Sequence, residues 1–302
     1  MDETKSGPNP ESNPEAESKL REASELGQFI PLHYHYNMLQ DTERMERFKR
    51  AINELVNPGD TVLELGGGTG VLSFFAAQKA ARVLTVEYNI ELLNEAKRIL
   101  ALNKNGDRVR LIHADAAEFV PDEPVDVVVC EMLHVALLRE KQTEVISRFK
   151  ANYAKRHGAR LPFFIPCATF NAVQPVQHDF EFSGYNAPVL LFQDPYAAHE
   201  RTVELGGPAV YSQLMYHEPY GSGASFDGRL QIVRTGRLNA VRVITKSVLS
   251  LSQGSDWHSQ YMVVPLAQPL DVEAGQEIDA AFSYEYGAAL SAMKPSVKIC
   301  AK

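Results

Sequence analysis

The chain has 302 residues, 45% of them hydrophobic, with 30 basic against 38 acidic side chains and a formal net charge of −8. That length suits one large domain or two modest ones, and the apolar share suits an ordinary globular core. The negative balance, with no Lys/Arg run, argues against nucleic acid as a partner and would attract cationic substrates.

The start, Met1-Asp-Glu-Thr, lacks the basic and then apolar pattern of a signal peptide. Pro8, Pro10 and Pro14 stand among Glu, Asn and Ser. Such a composition cannot bury enough surface to order itself, so residues 1–22 are expected to form a flexible tail. From 37 to 56 the residues Met38, Leu39, Met45, Phe48, Ile52 and Leu55 recur at helical spacing, and Asn57-Pro-Gly-Asp60 ends the helix. An αβ alternation follows: strand 61–65, helix 71–80, strand 83–86, helix 89–103, strand 109–112 and strand 125–130. Their continuous apolar runs predict a parallel sheet covered on both faces.

Near Gly158–Pro166 the character changes. Short alternating strands are predicted at 168–173, 230–233, 237–251 and 260–265, separated by Gly/Pro/Asn/Ser turns, as in an antiparallel sandwich or barrel. Residues 185–225 are rich in Tyr, Pro and Gly and carry a predicted short helix over 195–203. Cys130, Cys167 and Cys300 lie far apart with no Cys-x-x-Cys spacing, which predicts a reducing compartment and no metal site. No apolar run approaches the ~20 residues that span a bilayer. The expectation is a soluble cytoplasmic protein without a membrane partner.

The densest signal is Thr61-Val-Leu-Glu-Leu-Gly-Gly-Gly-Thr-Gly70, a strand running into a glycine turn and then a helix. Gly66, Gly68 and Gly70 can adopt positive φ and let a ligand approach the backbone. Such units hold nucleotides or nucleosides at the carboxyl end of a parallel sheet, and NAD enzymes use a similar one. Two acids favour a different ligand. Glu64 sits inside the strand, where it would repel a pyrophosphate and suit a cation with an ammonium group, such as S-adenosylmethionine. Glu87 ends the second strand, placed to accept hydrogen bonds from two ribose hydroxyls.

Glu131 and Glu140 flank the loop that leaves strand 125–130, the fourth of the sheet, whose end opens onto the ligand crevice. Two carboxylates there can grip a planar guanidinium by paired hydrogen bonds and leave its third nitrogen in line with a methyl donor. The plain alternative is surface charge on a solvated loop.

Together these parts resemble the protein arginine methyltransferase family, from about residue 29 onward. The family's double-glutamate loop has two Glu nine apart after the fourth strand, as Glu131 and Glu140 are. Its first helix carries His-x-x-Met-Leu-x-Asp-x-x-Arg, matched by His35-Tyr-Asn-Met38-Leu39-Gln-Asp41-Thr-Glu-Arg44. The resemblance implies an α/β fold: a Rossmann-like class I methyltransferase domain over 23–165, followed by an antiparallel β-barrel substrate domain over 166–302. It implies S-adenosylmethionine as cofactor, leaving as S-adenosylhomocysteine. Arg44 would bind the cofactor's carboxylate and Glu87 its ribose, with His35, Glu64 and the glycines around it. Met38 would border the target guanidine. Asp115 is placed like the acid that meets the adenine amino group, although its spacing to the next strand differs from the family's. Arg44 could equally form an exposed helix ion pair worth little.

Two departures stand out. The family's Glu-Trp-Met-Gly-Tyr is here Glu131-Met-Leu-His-Val135, so aromatic walls are partly missing. Its Thr-His-Trp is here Ser255-Asp256-Trp257, which removes the histidine that pairs with the helix aspartate, Asp41. Asp41 facing Asp256 would need a proton or a cation between them, and His258, two residues on, would be the substitute base. Trp257 borders the substrate on this reading and is a core residue by default. The expected reaction is guanidino N-methylation. Free L-arginine or a small guanidine is favoured over protein arginine, and Asp256 is then placed to meet an α-ammonium. The alternatives are a protein arginine methyltransferase proper, a small-molecule O- or N-methyltransferase, and a non-catalytic cofactor-binding scaffold. The stretch 185–225 resembles in position the arm through which the family dimerises, so a homodimer is expected.

Overall fold

The computed structural model describes residues 32–252 and 254–300; the tail expected over 1–22 lies outside them. The first helix predicted from periodicity is two helices, α1 (Leu32–Gln40) and α2 (Thr42–Leu55). Asp41 breaks it: its ψ of 87° leaves the helical region, and its carboxylate caps α2 by accepting from the Arg44 amide at 2.9 Å.

A five-stranded parallel sheet follows, with β1 (Thr61–Leu65), β2 (Arg82–Glu87), β3 (Val109–His113), β4 (Val127–Cys130) and β5 (Phe163–Ile165) in the order β3-β2-β1-β4-β5. The crossovers are α3 (Val71–Ala77), α4 (Ile90–Leu100) and α5 (Gln142–His157). Helix α5 is absent from the sequence reading, although Val145, Ile146, Phe149 and Tyr153 form a buried helical stripe. The apolar strand runs divide between the two faces. Val62, Val83 and Val127 pack with Phe48, Ile52 and Ala76, and Leu63, Leu65 and Val86 pack with Ile146 and Phe149. The strand order reverses between β1 and β4, where Leu65 pairs with Cys130. A doubly wound sheet opens its ligand crevice at that point, so the glycine turn after β1 and the acid loop after β4 begin side by side.

The rest of the chain is antiparallel. Strands β6 (Ala168–His178), β9 (Leu191–Gln193), β10 (Thr202–Glu204), β11 (Ala209–Met215), β13 (Gly236–Val248), β14 (Asp256–His258) and β15 (Tyr261–Val272) form one sheet. A second holds β12 (Gly223–Gln231), β16 (Glu277–Glu285) and β17 (Ser296–Ile299), and a small hairpin holds β7 (Glu181–Phe182) and β8 (Tyr185–Asn186). Their inner faces share one core, with Val173, Leu230, Val241, Val264 and Ile278. Among the described residues no ladder closes these sheets into the expected barrel. The helix predicted over 195–203 does not form; turns lead there into β10. The stretch 185–225 supplies β9, β10 and β11 to the large sheet, and the exposed Phe182 and Tyr185 lie on the β7–β8 hairpin. None of the described helices is long and apolar enough to cross a membrane.

Candidate active site

The cleft at the reversal point is floored by the glycine turn. The Gly66 and Gly67 amides both donate to the Val86 carbonyl, at 2.9 and 3.0 Å, which folds the turn back over β2. Gly66, Gly68 and Gly70 have φ of 79°, 54° and 81°, the left-handed region that glycine enters without a Cβ penalty. A Cβ on Gly68 would stand 3.0 Å from the His35 ring, so the turn and α1 pinch the cleft at a point where only backbone fits. Glu87 holds the turn from the next strand: one carboxylate oxygen accepts from the Gly68 amide and the other from the Asn89 amide.

Glu64 is buried under the same turn and lines the cleft. It accepts from the Ser73 amide at the start of α3 and from the Ser73 hydroxyl, which also meets Thr85. Burial pushes its carboxyl up to about 8 even so; the Ser73 bonds pull the other way, and nearby Glu87 adds to the rise. Asp115 lines the cleft farther along, with its carboxylate on the Ala117 amide. His35, Met38 and Leu39 of α1 line the cleft from the helical side.

At the other end Arg44 and Glu131 form an ion pair, both side chains about nine-tenths buried. Arg44 lies over the Trp257 ring, 5.5 Å from its centre. Burial lowers the Arg44 guanidinium to about 10, against the raising fields of Asp41 and Glu140, so it stays charged at neutral pH. One pole of the pair is incomplete on each side: Arg44 Nε and Glu131 Oε1 are buried without a hydrogen-bond partner. Buried polar atoms are rarely left so, and both residues line the cleft. Glu140 lines it too, and burial pushes its carboxyl above the usual carboxylate range, with Arg44 and Arg139 pulling it back.

The cleft thus brings together His35, Met38, Arg44, Glu64, Gly66, Gly68, Glu87, Asp115, Glu131 and Glu140. Five expected residues stand elsewhere. Asp41 is spent capping α2. Trp257 is packed edge-on against Phe48, in the core on one face of the parallel sheet beneath Arg44, and does not line the cleft. Asp256 has cationic partners instead: its carboxylate pairs with Lys246 at 2.9 Å, and its carbonyl accepts from Arg47. His258 stands opposite Lys246 in the β13–β14 ladder, outside the cleft lining, with its imidazole pKa lowered by burial and by that lysine. Gly70 faces Leu100 and turns the chain into α3.

Sequence reasoning missed Gln142. Fully buried, it donates to the Cys130 carbonyl at 2.7 Å and accepts from the Met132 amide at 2.8 Å, so it ties the first residue of α5 to both sides of Glu131. Nothing local marks it, because its partners are ten and more residues away.

Residues 62–156 match a family profile described as a methyltransferase domain. Along nearly its whole length the chain is similar to an uncharacterized protein of Methanothermobacter thermautotrophicus, 30% identical over 87% of this chain and 97% of that one. It is 33% identical to protein arginine N-methyltransferase 6 of Danio rerio over 42% of this chain and 37% of the other. It is 31% identical to an arginine N(omega)-methyltransferase of Streptomyces achromogenes over 43% and 37%. The matched segment spans less than half of either named enzyme. In three dimensions the chain is similar to PRMT1 of Trypanosoma brucei, solved as an enzyme–prozyme heterotetramer with AdoHcy. The TM-score is 0.67 at 15% identity, over 88% of this chain and 96% of that one.

Proposed function

We propose that the chain is a divergent member of the protein arginine methyltransferase family and that it methylates a guanidino nitrogen of arginine with S-adenosylmethionine. The observation that carries this reading is that Glu131, buried beside the glycine turn, already holds a guanidinium, that of Arg44. A site that accepts one planar cation is shaped and charged for another. Glu140 is the second acid facing the same cleft, nine residues on, within the fields of Arg44 and Arg139.

The cofactor fits the residues present. The glycine turn leaves backbone where a Cβ would collide, Glu87 offers ribose acceptors, Glu64 offers a carboxylate, and Arg44 Nε is an unused donor for a carboxylate. S-adenosylmethionine, when bound, supplies an electrophilic methyl group on a sulfonium. The protein's part is mainly positional. Glu131 and Glu140 orient the guanidinium and draw its positive charge toward two nitrogens, which leaves the third richer in electrons. Its pKa is above ~12, so proton loss before attack is costly and follows methyl transfer more readily. Glu140 is the acceptor at hand, because burial has already raised its affinity for a proton. His258 and Asp41 drop out of that role, being outside the cleft or spent on a helix cap.

The direct test offers labelled S-adenosylmethionine with free L-arginine and with an Arg/Gly-rich peptide in separate reactions, and identifies products by mass. Both acceptors present the same cation to the two acids, so the comparison reads acceptor size. Cofactor bound without transfer to any guanidine would leave the scaffold reading. A homodimer built on the exposed Phe182 and Tyr185 belongs to the same proposal, and light scattering at micromolar concentration reads it directly.

Two pH effects follow. Glu64 is protonated at neutral pH in the empty protein, with a pKa of about 8. A neighbouring ammonium favours the carboxylate, so cofactor binding at pH 7 releases a proton and affinity rises from pH 6 to pH 8. Calorimetry in two buffers of different ionisation heat should count close to one proton; equal heats would remove Glu64 from the cofactor. Glu140 must be ionised to grip a guanidinium. The free-enzyme parameter kcat/KM should therefore fall as pH drops through a value above the ordinary carboxylate range. A bound guanidinium lowers that pKa, so the acid limb of kcat lies at lower pH than that of kcat/KM. Coincident limbs would mean that substrate charge never reaches Glu140.

A further inference from the structure

The loop that carries the two acids leaves the parallel sheet, yet its middle belongs to the antiparallel part of the protein. Val135, Ala136 and Leu138 are buried in the core shared by the antiparallel sheets. Between the acids, Ala136, Leu137 and Arg139 have φ of 60°, 55° and 63°. Residues with a Cβ pay for that conformation and keep it only where the surroundings over-determine it. The Ala136 amide donates to Thr245 Oγ1 at 2.6 Å. The Thr245 hydroxyl donates in turn to Asn171 Oδ1 at 2.7 Å, and Asn171 Nδ2 reaches Ser212 Oγ, which meets the Tyr286 hydroxyl at 2.7 Å. Next to Tyr286, the Gly287 amide donates to the Leu137 carbonyl and the Arg139 amide donates to the Ala288 carbonyl, both at 2.8 Å. Thr245 and Asn171 are fully buried, so water cannot replace either group.

We propose that Thr245, through Asn171, is a positioning residue that fixes the left-handed turn at Ala136 and thereby sets Glu140 relative to Glu131. The proposal rests on the guanidine reading of that acid pair. It separates the two halves of the site. The glycine turn and Glu87 are fixed by β1 and β2, whereas the spacing of the acids is fixed from β6 and β13. Without the hydroxyl the buried Ala136 amide has no acceptor, and the strained turn loses the bond that offsets its cost.

Thr245→Val keeps the shape and the β-branch and removes the hydroxyl; Thr245→Ser restores it. The expected result for Thr245→Val is a kcat on the best guanidine acceptor lowered at least tenfold, with the cofactor Kd within twofold of the parent. Thr245→Ser should return kcat to within threefold. Amide exchange across residues 131–140 should speed up at least tenfold in Thr245→Val while exchange across 61–87 is unchanged. Adding Ala136→Gly to Thr245→Val should recover part of kcat, because glycine holds the left-handed turn unaided; this second variant also serves if the first folds poorly. A Thr245→Val protein with parental kcat and parental loop exchange overturns the proposal, as does a serine variant no better than valine. If the parent transfers no methyl to any guanidine, the functional reading fails on its own, and the exchange measurements still decide what Thr245 does.

Discussion

Glu131→Gln is expected to lower turnover on a guanidine by about 10²–10³-fold and to leave cofactor affinity within about threefold of the parent. The acid is asked to orient the acceptor and to hold its positive charge on the nitrogens it grips, away from the one that attacks. Losing one such preorganised contact removes about 3–4 kcal/mol of transition-state stabilisation. A glutamine keeps the shape and one carbonyl acceptor, so Arg44 is not left without a partner in the buried pair. The guanidinium of Arg44, at about 10, stays charged either way and available to a carboxylate. Thermal melting guards the interpretation, because a large fall in Tm would mean that turnover was lost with the fold. Undiminished turnover would take Glu131 out of the clamp and leave a nucleoside-binding cleft with no claim on guanidines.

The parts of this site legible in the sequence are those made by neighbours in the chain. The glycine turn, Glu64 inside its strand and Glu87 at the end of the next are local patterns, and the αβ alternation puts them at one edge of the sheet. The acid pair was legible through its spacing after the fourth strand. What the sequence hid depends on register. Asp256 reaches Lys246 diagonally because β14 pairs with β13, and no local pattern announces a partner ten residues back across a turn. Thr245 and Asn171 look like ordinary strand residues until the acid loop is laid against them. Asp41 misled in another way. The apolar periodicity from Met38 to Leu55 continues across it, while its short carboxylate competes for the amide of Arg44 and starts a new helix. Among its described residues the second half shows no closure into the expected barrel, because turn-separated alternating strands specify antiparallel pairing, not closure.

Arg44→Met is expected to destabilise the protein by about 3–5 kcal/mol at pH 7 and to weaken cofactor binding about a hundredfold. Methionine nearly fills the space, so the loss is electrostatic. Glu131 keeps a buried carboxylate whose Oε2 has lost its cation and whose Oε1 had no partner to begin with. An unpaired buried charge costs that much, and the contact of Arg44 with Trp257 adds a smaller loss. The sign of the pH dependence identifies the cause. With its cation gone, Glu131 in the folded variant has a pKa raised above its unfolded value, so its protonated form is the stable one. Relative to the parent, the variant is therefore least impaired near and below the ordinary carboxylate pKa and loses stability as pH rises through the raised one. Arg44→Met combined with Glu131→Leu should recover most of the lost stability, since replacing both partners by apolar groups removes the stranded charge along with the attraction. It should recover none of the turnover, because both the cofactor's cation and the clamp acid are then gone. A single variant that melts like the parent at pH 7 would show that the pair does not form in solution, and the pre-formed guanidinium site on which the functional reading rests would go with it.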